Sequence, residues 1–198
     1  MTLETSRTPG RRRHGGTAVK IVVTGPFSAG KTTLIRTISE ITVQSTEQDI
    51  TDDTRSRKAA TTVAMDFGRI TLDRDLVLYL FGTPGHERFD FMWEILGERM
   101  LGYILLVDSS RDESLAEAVV ILVAFRRMAR VPFVLALNRA DGLDPADEQH
   151  VRAVLELDGE TAVMPCDATN RESVKAVLLA VLYGAVGSLD DVFEPARA

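Results

Sequence analysis

Residues 25–32 have the sequence GPFSAGKT, which fits the pattern G-x-x-x-x-G-K-T. An apolar run precedes this segment and a helix-like pattern begins at Lys31, which is the usual context of a phosphate-binding loop. Glycines in such a loop let backbone amides point at phosphate oxygens, while Lys31 reaches the β- and γ-phosphates and the Thr32 hydroxyl binds Mg²⁺. The alternative is a glycine turn that only caps a core helix. The predicted phosphate contacts are Gly25, Ser28, Ala29, Gly30, Lys31, Thr32 and Thr33.

Two later segments could contact a purine base. Asn138-Arg139-Ala140-Asp141 reads N-x-x-D, and the Asp141 carboxylate can accept hydrogen bonds from the ring N1–H and the exocyclic amine of guanine. Adenine lacks that pair of donors, so this segment favours GTP over ATP, and the stem of Arg139 can pack over the base. Asn and Asp also commonly begin loops and cap helices, which is the alternative interpretation.

A third segment follows the last predicted strand, at Asp167, Ala168 and Thr169. Its backbone amides are expected to contact the O6 face of guanine, with Thr169 beside the ring. A helix cap at Asn170 would serve the same local sequence, and the two interpretations are compatible.

The remaining pattern predicts a scaffold that brings these segments to one edge of a sheet. Short runs that are apolar on both faces indicate buried parallel strands, and amphipathic segments of helix length alternate with them. The fold class is therefore α/β: a mostly parallel six-stranded sheet with one antiparallel edge strand and helices on both faces. The antiparallel strand, about 62–72, returns through Asp73-Arg74-Asp75. The other predicted strands are 19–25, 77–82, 102–108, 132–138 and 161–166, and the predicted helices are 31–43, 87–100, 112–129, 145–156 and 171–187.

The whole chain has 198 residues, 45% of them hydrophobic, which favours one domain. A net charge of −6 argues against a nucleic-acid-binding protein, and the lone Cys166 fits a reducing cytoplasm. Residues 1–17 predict a disordered basic tail before a domain at 18–188 and a C-terminal tail at 189–198. The apolar runs are too short to cross a bilayer, so contact with a membrane is expected to be at most peripheral, through the arginines of the first tail.

Over residues 18–187 the chain resembles the Ras-like small GTPases, because GPFSAGKT, Thr62, GTPGHE, NRAD and DAT occur in the order of their nucleotide-binding motifs. The resemblance implies a P-loop NTPase G domain that binds GTP and GDP with Mg²⁺. It also implies that Thr62 closes on Mg²⁺ and the γ-phosphate, that Gly85 gives its amide to that phosphate, and that His86 positions the attacking water. The switch loops would be 44–62 and 83–93. Lys31, Thr62 and His86 are thus the expected catalytic residues, with Thr32 and Thr62 as metal ligands.

The block TTVAMDFGRI followed by LFGTPGHERFDFMW looks most like bacterial gliding-motility-type small GTPases and the GTP-binding proteins of actinobacterial conservons. That resemblance implies a roadblock-type regulator and a sensor-kinase-like protein as partners. Two positions depart from the family pattern. Gly82 stands where an Asp usually holds a Mg²⁺-bound water, with Asp66 and Asp108 as alternative compensating carboxylates, and the bulky Phe27 stands beside the γ-phosphate. Weaker Mg²⁺ binding and slow turnover are expected.

Three functions remain open at this level. The first is a cytoplasmic guanine-nucleotide switch that hydrolyses GTP slowly or with a partner's help. The second is a nucleotide-loaded scaffold that does not hydrolyse GTP, and the third is an ATP-using phosphotransferase for which NRAD is accidental.

Overall fold

A computed structural model describes residues 17–45, 65–84, 90–140 and 144–193. Within these residues, strands and helices alternate along the chain as the apolar runs predict. The elements are β1 Thr17–Thr24, α1 Lys31–Ile38, β2 Gln44–Ser45, β3 Asp66–Asp73, β4 Leu76–Gly82, α2 Asp90–Gly97, β5 Gly102–Asp108, α3 Asp112–Met128, β6 Phe133–Asn138, α4 Pro145–Val154, β7 Ala162–Cys166 and α5 Arg171–Phe193. Residues 1–16 of the predicted tail at 1–17 lie outside the described residues, and Thr17 is the first residue of β1.

The strands form one sheet in the order β2-β3-β4-β1-β5-β6-β7. β1 pairs in parallel with β4 and β5, and β5, β6 and β7 continue in parallel. β3 runs antiparallel to β4, with Phe67 opposite Phe81, so the predicted hairpin and the predicted fold class are confirmed. The two-residue β2 adds a further antiparallel pairing outside β3. β1 therefore lies inside the sheet, and the loop that follows it opens at the carboxyl edge of the parallel strands.

Two apolar layers cover the sheet because successive side chains of a buried strand point to opposite faces. Ile21 and Val23 of β1 pack with α1 and α5, whereas Val22 packs on the other face with α2, α3 and α4. Every residue of β5 is buried. This explains why the central strands read as continuous apolar runs rather than as alternating ones.

The C-terminal ends of helices differ from the sequence prediction by three residues or more at three places. α2 is predicted to reach residue 100 but ends at Gly97. α1 is predicted to reach residue 43 but ends at Ile38, because Ser39 is extended and the amide of Glu40 donates to the Arg69 carbonyl of β3 at 2.8 Å. α5 is predicted to end at residue 187 but continues to Phe193, so the first five residues of the predicted C-terminal tail at 189–198 belong to this helix. Among the described residues, no helix has the length and apolar character needed to cross a bilayer.

Candidate functional site

The loop between β1 and α1 has the curled backbone that its sequence predicts. Gly25, Ser28 and Gly30 all have positive φ angles, of 143°, 62° and 104°. A Cβ atom at Gly30 would lie 2.5 Å from Nδ2 of Asn138, so no other residue type fits there without movement. No side chain caps the N-terminus of α1, and the first turn contains no acidic residue. The amides of the first helical turn and the helix dipole at this end favour an anion.

Lys31 lies under this loop. Its ammonium group donates hydrogen bonds to the carbonyl oxygens of Gly25 at 2.7 Å and Pro26 at 2.6 Å, and the side chain is buried. The positive charge is thus held inside the curl of the loop before any ligand arrives. A bound phosphate would gain a charge-assisted partner without a large movement of the lysine.

Thr32, the predicted metal ligand, is paired with a carboxylate. Its Oγ1 donates to Oδ2 of Asp66 at 2.5 Å. Asp66 is buried at the start of β3, and its Oδ1 has no hydrogen-bond donor among the described residues. Buried carboxylate oxygens normally have partners, so this oxygen beside a P-loop threonine suits a contact with a cation or an ordered water.

Gly82 explains how the Asp66 side chain can occupy this place. The two residues face each other across the β3–β4 pair. A Cβ atom at Gly82 would lie 3.0 Å from the Asp66 Cβ and 3.2 Å from its Oδ2, which is closer than such contacts normally are. Of the two candidate compensating carboxylates, Asp66 is the one beside Thr32. The oxygen donors Thr32 and Asp66 suit Mg²⁺, a hard cation that keeps several waters.

Asp108 has different partners, at the carboxyl end of β5. Its Oδ1 accepts hydrogen bonds from the amide of Ser110 at 3.0 Å and from its hydroxyl at 2.6 Å, and its Oδ2 accepts from the Arg139 guanidinium. This carboxylate therefore contacts the predicted base-binding segment at Arg139 and does not lie at the proposed metal position.

Asn138 connects three parts of the site. Its Nδ2 donates to the Ala29 carbonyl of the phosphate loop at 2.8 Å, and its Oδ1 accepts from the Ala168 amide at 3.1 Å. Because both ends of this buried amide are used inside the protein, Asn138 contributes to the site by holding two loops together.

The loop over 167–169 is already folded by its own hydrogen bonds. Oδ1 of Asp167 accepts from the Thr169 amide at 2.9 Å and from its hydroxyl at 2.6 Å, and the hydroxyl bond is the main reason that the pKa of Asp167 lies below its usual value. The amide of Asp167 donates to Ser173 at 2.9 Å. All three amides of the segment thus donate within the protein, and a guanine O6 atom would have to share one of them.

The remaining predicted site residues have different positions. Thr33 is exposed in the first turn of α1. Thr62, Gly85, His86 and Asp141 lie outside the described residues, so their predicted roles stay predictions. Sequence reasoning missed Arg111, whose Nη1 donates to the Phe27 carbonyl of the phosphate loop at 2.9 Å. Its place in the short loop between the buried strand β5 and α3 is the signal that could have pointed to it.

A strand, a glycine loop with a buried lysine, and a helix at the carboxyl edge of a parallel sheet define a P-loop nucleotide-binding domain. The chain belongs to the family described as "Conserved hypothetical ATP binding protein", which matches residues 23–187.

Individual relatives show moderate similarity to the chain. It is 27% identical over 123 residues to the uncharacterized protein MJ1339 of Methanocaldococcus jannaschii, covering 62% of this chain and 71% of that protein. It is 27% identical over 164 residues to the ADP-ribosylation factor-like protein 3 of Saccharomyces cerevisiae, covering 78% and 79% of the two chains. It is also 25% identical over 173 residues to translation initiation factor IF-2 of Syntrophomonas wolfei, covering 83% of this chain but only 18% of that factor.

Proposed function

We propose that this chain is a guanine-nucleotide-dependent switch that binds GTP and GDP with Mg²⁺ and slowly hydrolyses GTP to GDP and phosphate. The observation that carries the proposal is the Asn138 bridge between Ala29 and Ala168. It brings the loop for phosphate and the loop for a base to the same strand end, where the N-x-x-D segment begins. The similarity to an ADP-ribosylation factor-like protein over 78% of the chain supports the same function.

The choice of guanine depends on Asp141. A carboxylate there would accept from the N1–H and exocyclic amine of guanine, and adenine offers no matching pair. ATP is the competing nucleotide, because the family description names it.

The metal position supports hydrolysis. Thr32 would bind Mg²⁺ directly, and Asp66 would hold a water on the ion through the oxygen that now has no donor among the described residues. When bound, Mg²⁺ neutralises charge on the β- and γ-phosphates. In this proposal Thr62 is the second protein ligand of the metal, Lys31 stabilises charge on the transferring phosphate, and His86 positions the water.

Nucleotide preference tests the proposal directly. Nucleotide retained by the purified protein should be GDP or GTP by chromatography, and competition titration should give GDP an advantage over ADP of about a hundredfold or more. Asp141→Asn should shift the preference from guanine to xanthine nucleotides. Equal affinity for ADP and GDP, or an Asp141→Asn variant with unchanged GDP affinity, would overturn the assignment of guanine.

A second candidate is a nucleotide-loaded scaffold that does not turn over. The observation in its favour is Phe27, a residue of the phosphate loop that is 52% exposed while its carbonyl is held by Arg111. A bulky ring there would obstruct an arginine supplied by a partner. Single-turnover phosphate release with and without Mg²⁺ separates the candidates, since a switch should release phosphate above the spontaneous rate and lose most of that rate in His86→Ala.

The resemblance to gliding-motility-type and conservon GTP-binding proteins adds proposed partners, a roadblock-type regulator and a sensor-kinase-like protein. A cytoplasmic location, with at most peripheral membrane contact, belongs to the same proposal. Binding of each partner, compared between the GDP and GTP-analogue states, tests whether output depends on the nucleotide.

A further inference from the structure

We propose that Asp108 is a positioning residue for base recognition, which fixes the guanidinium of Arg139 so that the Arg139 stem forms a preformed support for the purine ring. This inference rests on the proposed function in that it assumes a bound guanine nucleotide. Neither residue is needed for the phosphate contacts described above. The two side chains start from neighbouring strands, because Asp108 of β5 is paired with Asn138 of β6 and Arg139 follows directly.

The Asp108 carboxylate has little freedom. Its side chain is 0% exposed, and Ser110 binds Oδ1 through both its amide and its hydroxyl. The backbone of Asp108 is held as well, because its amide donates a hydrogen bond to Ser114 Oγ at 3.0 Å. A buried carboxylate whose hydrogen-bond partners are fixed can hold the charged end of a longer side chain in one position.

Arg139 is the longer side chain whose charged end the Asp108 carboxylate holds. Its Nη1 donates to Asp108 Oδ2, while 53% of the side chain remains exposed to solvent. Its backbone has a positive φ of 62°, which is uncommon for a residue other than glycine and fixes the direction in which the side chain leaves the chain. The guanidinium is therefore held at its far end and the stem at its near end, with an open apolar surface between them.

The surroundings of Arg139 make this surface relevant to a nucleotide. The preceding residue, Asn138, binds both the phosphate loop and Ala168, and its carbonyl accepts hydrogen bonds from the amide and hydroxyl of Ser109 at 3.0 and 2.9 Å. The ends of β5 and β6 thus form one hydrogen-bonded unit with both ligand loops. A base that follows a phosphate in the loop must lie next to this unit.

Arginine suits this arrangement better than lysine. A planar guanidinium keeps a defined orientation on a carboxylate, whereas a lysine ammonium is a point charge on a freely rotating stem. Fixing the stem before the ligand arrives lowers the entropy lost when the base stacks on it. The effect should be the same for every purine that stacks, because no hydrogen bond to the base is involved.

The test compares a ligand that has a base with one that has none. Asp108→Asn keeps the shape of the side chain and an acceptor for Ser110 but removes the charge that holds Arg139. GDP and IDP should both dissociate about tenfold faster from this variant, which is within the range of a base-stacking contact. The affinity for inorganic pyrophosphate, measured by competition, should stay within about twofold of wild type. A loss of pyrophosphate affinity as large as the change in the GDP dissociation rate would overturn the inference, because it would indicate a general structural role of Asp108.

A second variant approaches the same pair from its exposed end and carries less risk to folding. Arg139→Met keeps an apolar stem but removes the guanidinium, so it should also speed GDP release. In the Arg139→Met background, Asp108→Asn should add no further loss, since residues that act through one contact are not additive. Fully additive effects would refute the proposal. Glu148→Gln, which breaks another arginine–carboxylate pair, with Arg152 at 2.8 Å within α4, should leave release unchanged.

These outcomes separate the inference from the proposed function. If wild-type protein shows no preference for guanine nucleotides, the proposed function fails before Asp108 is tested. If wild type binds GDP tightly and Asp108→Asn releases it at the wild-type rate, only the positioning role of Asp108 is wrong.

Discussion

At the scale of single residues, the pair Asp66 and Gly82 determines which carboxylate lies beside Thr32, the proposed ligand of Mg²⁺. The Asp66 carboxylate comes from β3, yet it reaches the Thr32 hydroxyl at 2.5 Å because Gly82 has no side chain in the way. The Gly82 position predicted a weakened metal site when it was considered alone. Considered together with Asp66, Gly82 indicates that the carboxylate is supplied by the neighbouring strand β3 instead of β4. The loss of metal affinity that we propose is therefore smaller than Gly82 alone would predict.

Exchanging these two residues tests that interpretation. Asp66→Asn should raise the Mg²⁺ concentration that is needed to retain GDP about tenfold or more, because removal of outer ligands usually weakens metal binding by that amount. Gly82→Asp should also weaken it, because its Cβ would crowd Asp66 and Ile35. The double variant Asp66→Gly with Gly82→Asp should recover most of the affinity, measured by Mg²⁺ titration of GDP release.

Asp75→Asn is the matched control for the exchange. Asp75 is an exposed carboxylate at the other end of the same hairpin, so its loss should leave the titration unchanged. A double variant that binds Mg²⁺ no better than either single variant would contradict the strand exchange.

At the scale of elements, a side chain of β1 supplies the hydrogen-bond donor at the C-terminal end of the last turn of α2. α2 has no basic residue in that turn, and Lys20 of β1 donates to the carbonyl of Glu98 at 2.9 Å and lies 5.3 Å from the centre of the Phe81 ring. Partial burial lowers the pKa of Lys20. α2, which begins within the predicted switch segment 83–93, is thereby fastened to the strand that precedes the phosphate loop.

Removing this attachment should loosen α2 selectively. Lys20→Met keeps the apolar stem but loses the donor and the charge at the helix C-terminus, and we expect a loss of about 1 kcal/mol in the free energy of unfolding. Amide hydrogen exchange should quicken in α2 more than in α3. Lys175→Met, which removes an exposed i,i+3 pair with Glu172 at 3.6 Å, should have almost no effect. Equal losses in the two variants would show that α2 does not depend on Lys20.

At the scale of the whole molecule, one sheet separates two apolar layers and carries the candidate site at its carboxyl edge. Cys166, at the end of β7, is buried in the layer formed with α1 and α5. Burial raises the pKa of its thiol to about 11, and this effect outweighs a hydrogen bond with Ser173 that lowers the pKa. The folded protein therefore holds this thiol protonated at a pH where the unfolded chain releases the proton.

The sign of the pH effect follows from that difference. Stability from Cys166 is complete below the pKa of the unfolded thiol, about 8.5, and is lost as the pH rises from there towards 11. Between pH 7.5 and 9.5 the thiol should cost about 1 kcal/mol in the free energy of unfolding, measured by urea denaturation. Cys166→Ala should lack this component, and an identical fall with pH in both proteins would contradict the burial effect.

Local sequence determined the phosphate loop, the strands and the hairpin, because each depends on residues within a few positions of one another. The glycines at 25 and 30, the buried run of β5 and the hairpin turn are examples. The described structure has all three, although Asp73, which was predicted to lie in the turn, pairs with Leu76 as the last residue of β3. The ends of the helices were less predictable, since α1 stops where Glu40 meets β3, a contact between segments far apart in the chain.

Only the tertiary structure decided which carboxylate serves which part of the site. The sequence offers Asp66 and Asp108 as alternative compensating carboxylates for the metal and does not decide between them. The register that places Asp66 opposite Gly82, and the pairing that places Asp108 beside Asn138, assign the first to Thr32 and the second to Arg139. Registers between strands depend on packing over the whole sheet, and that information is not present in any short segment of the sequence.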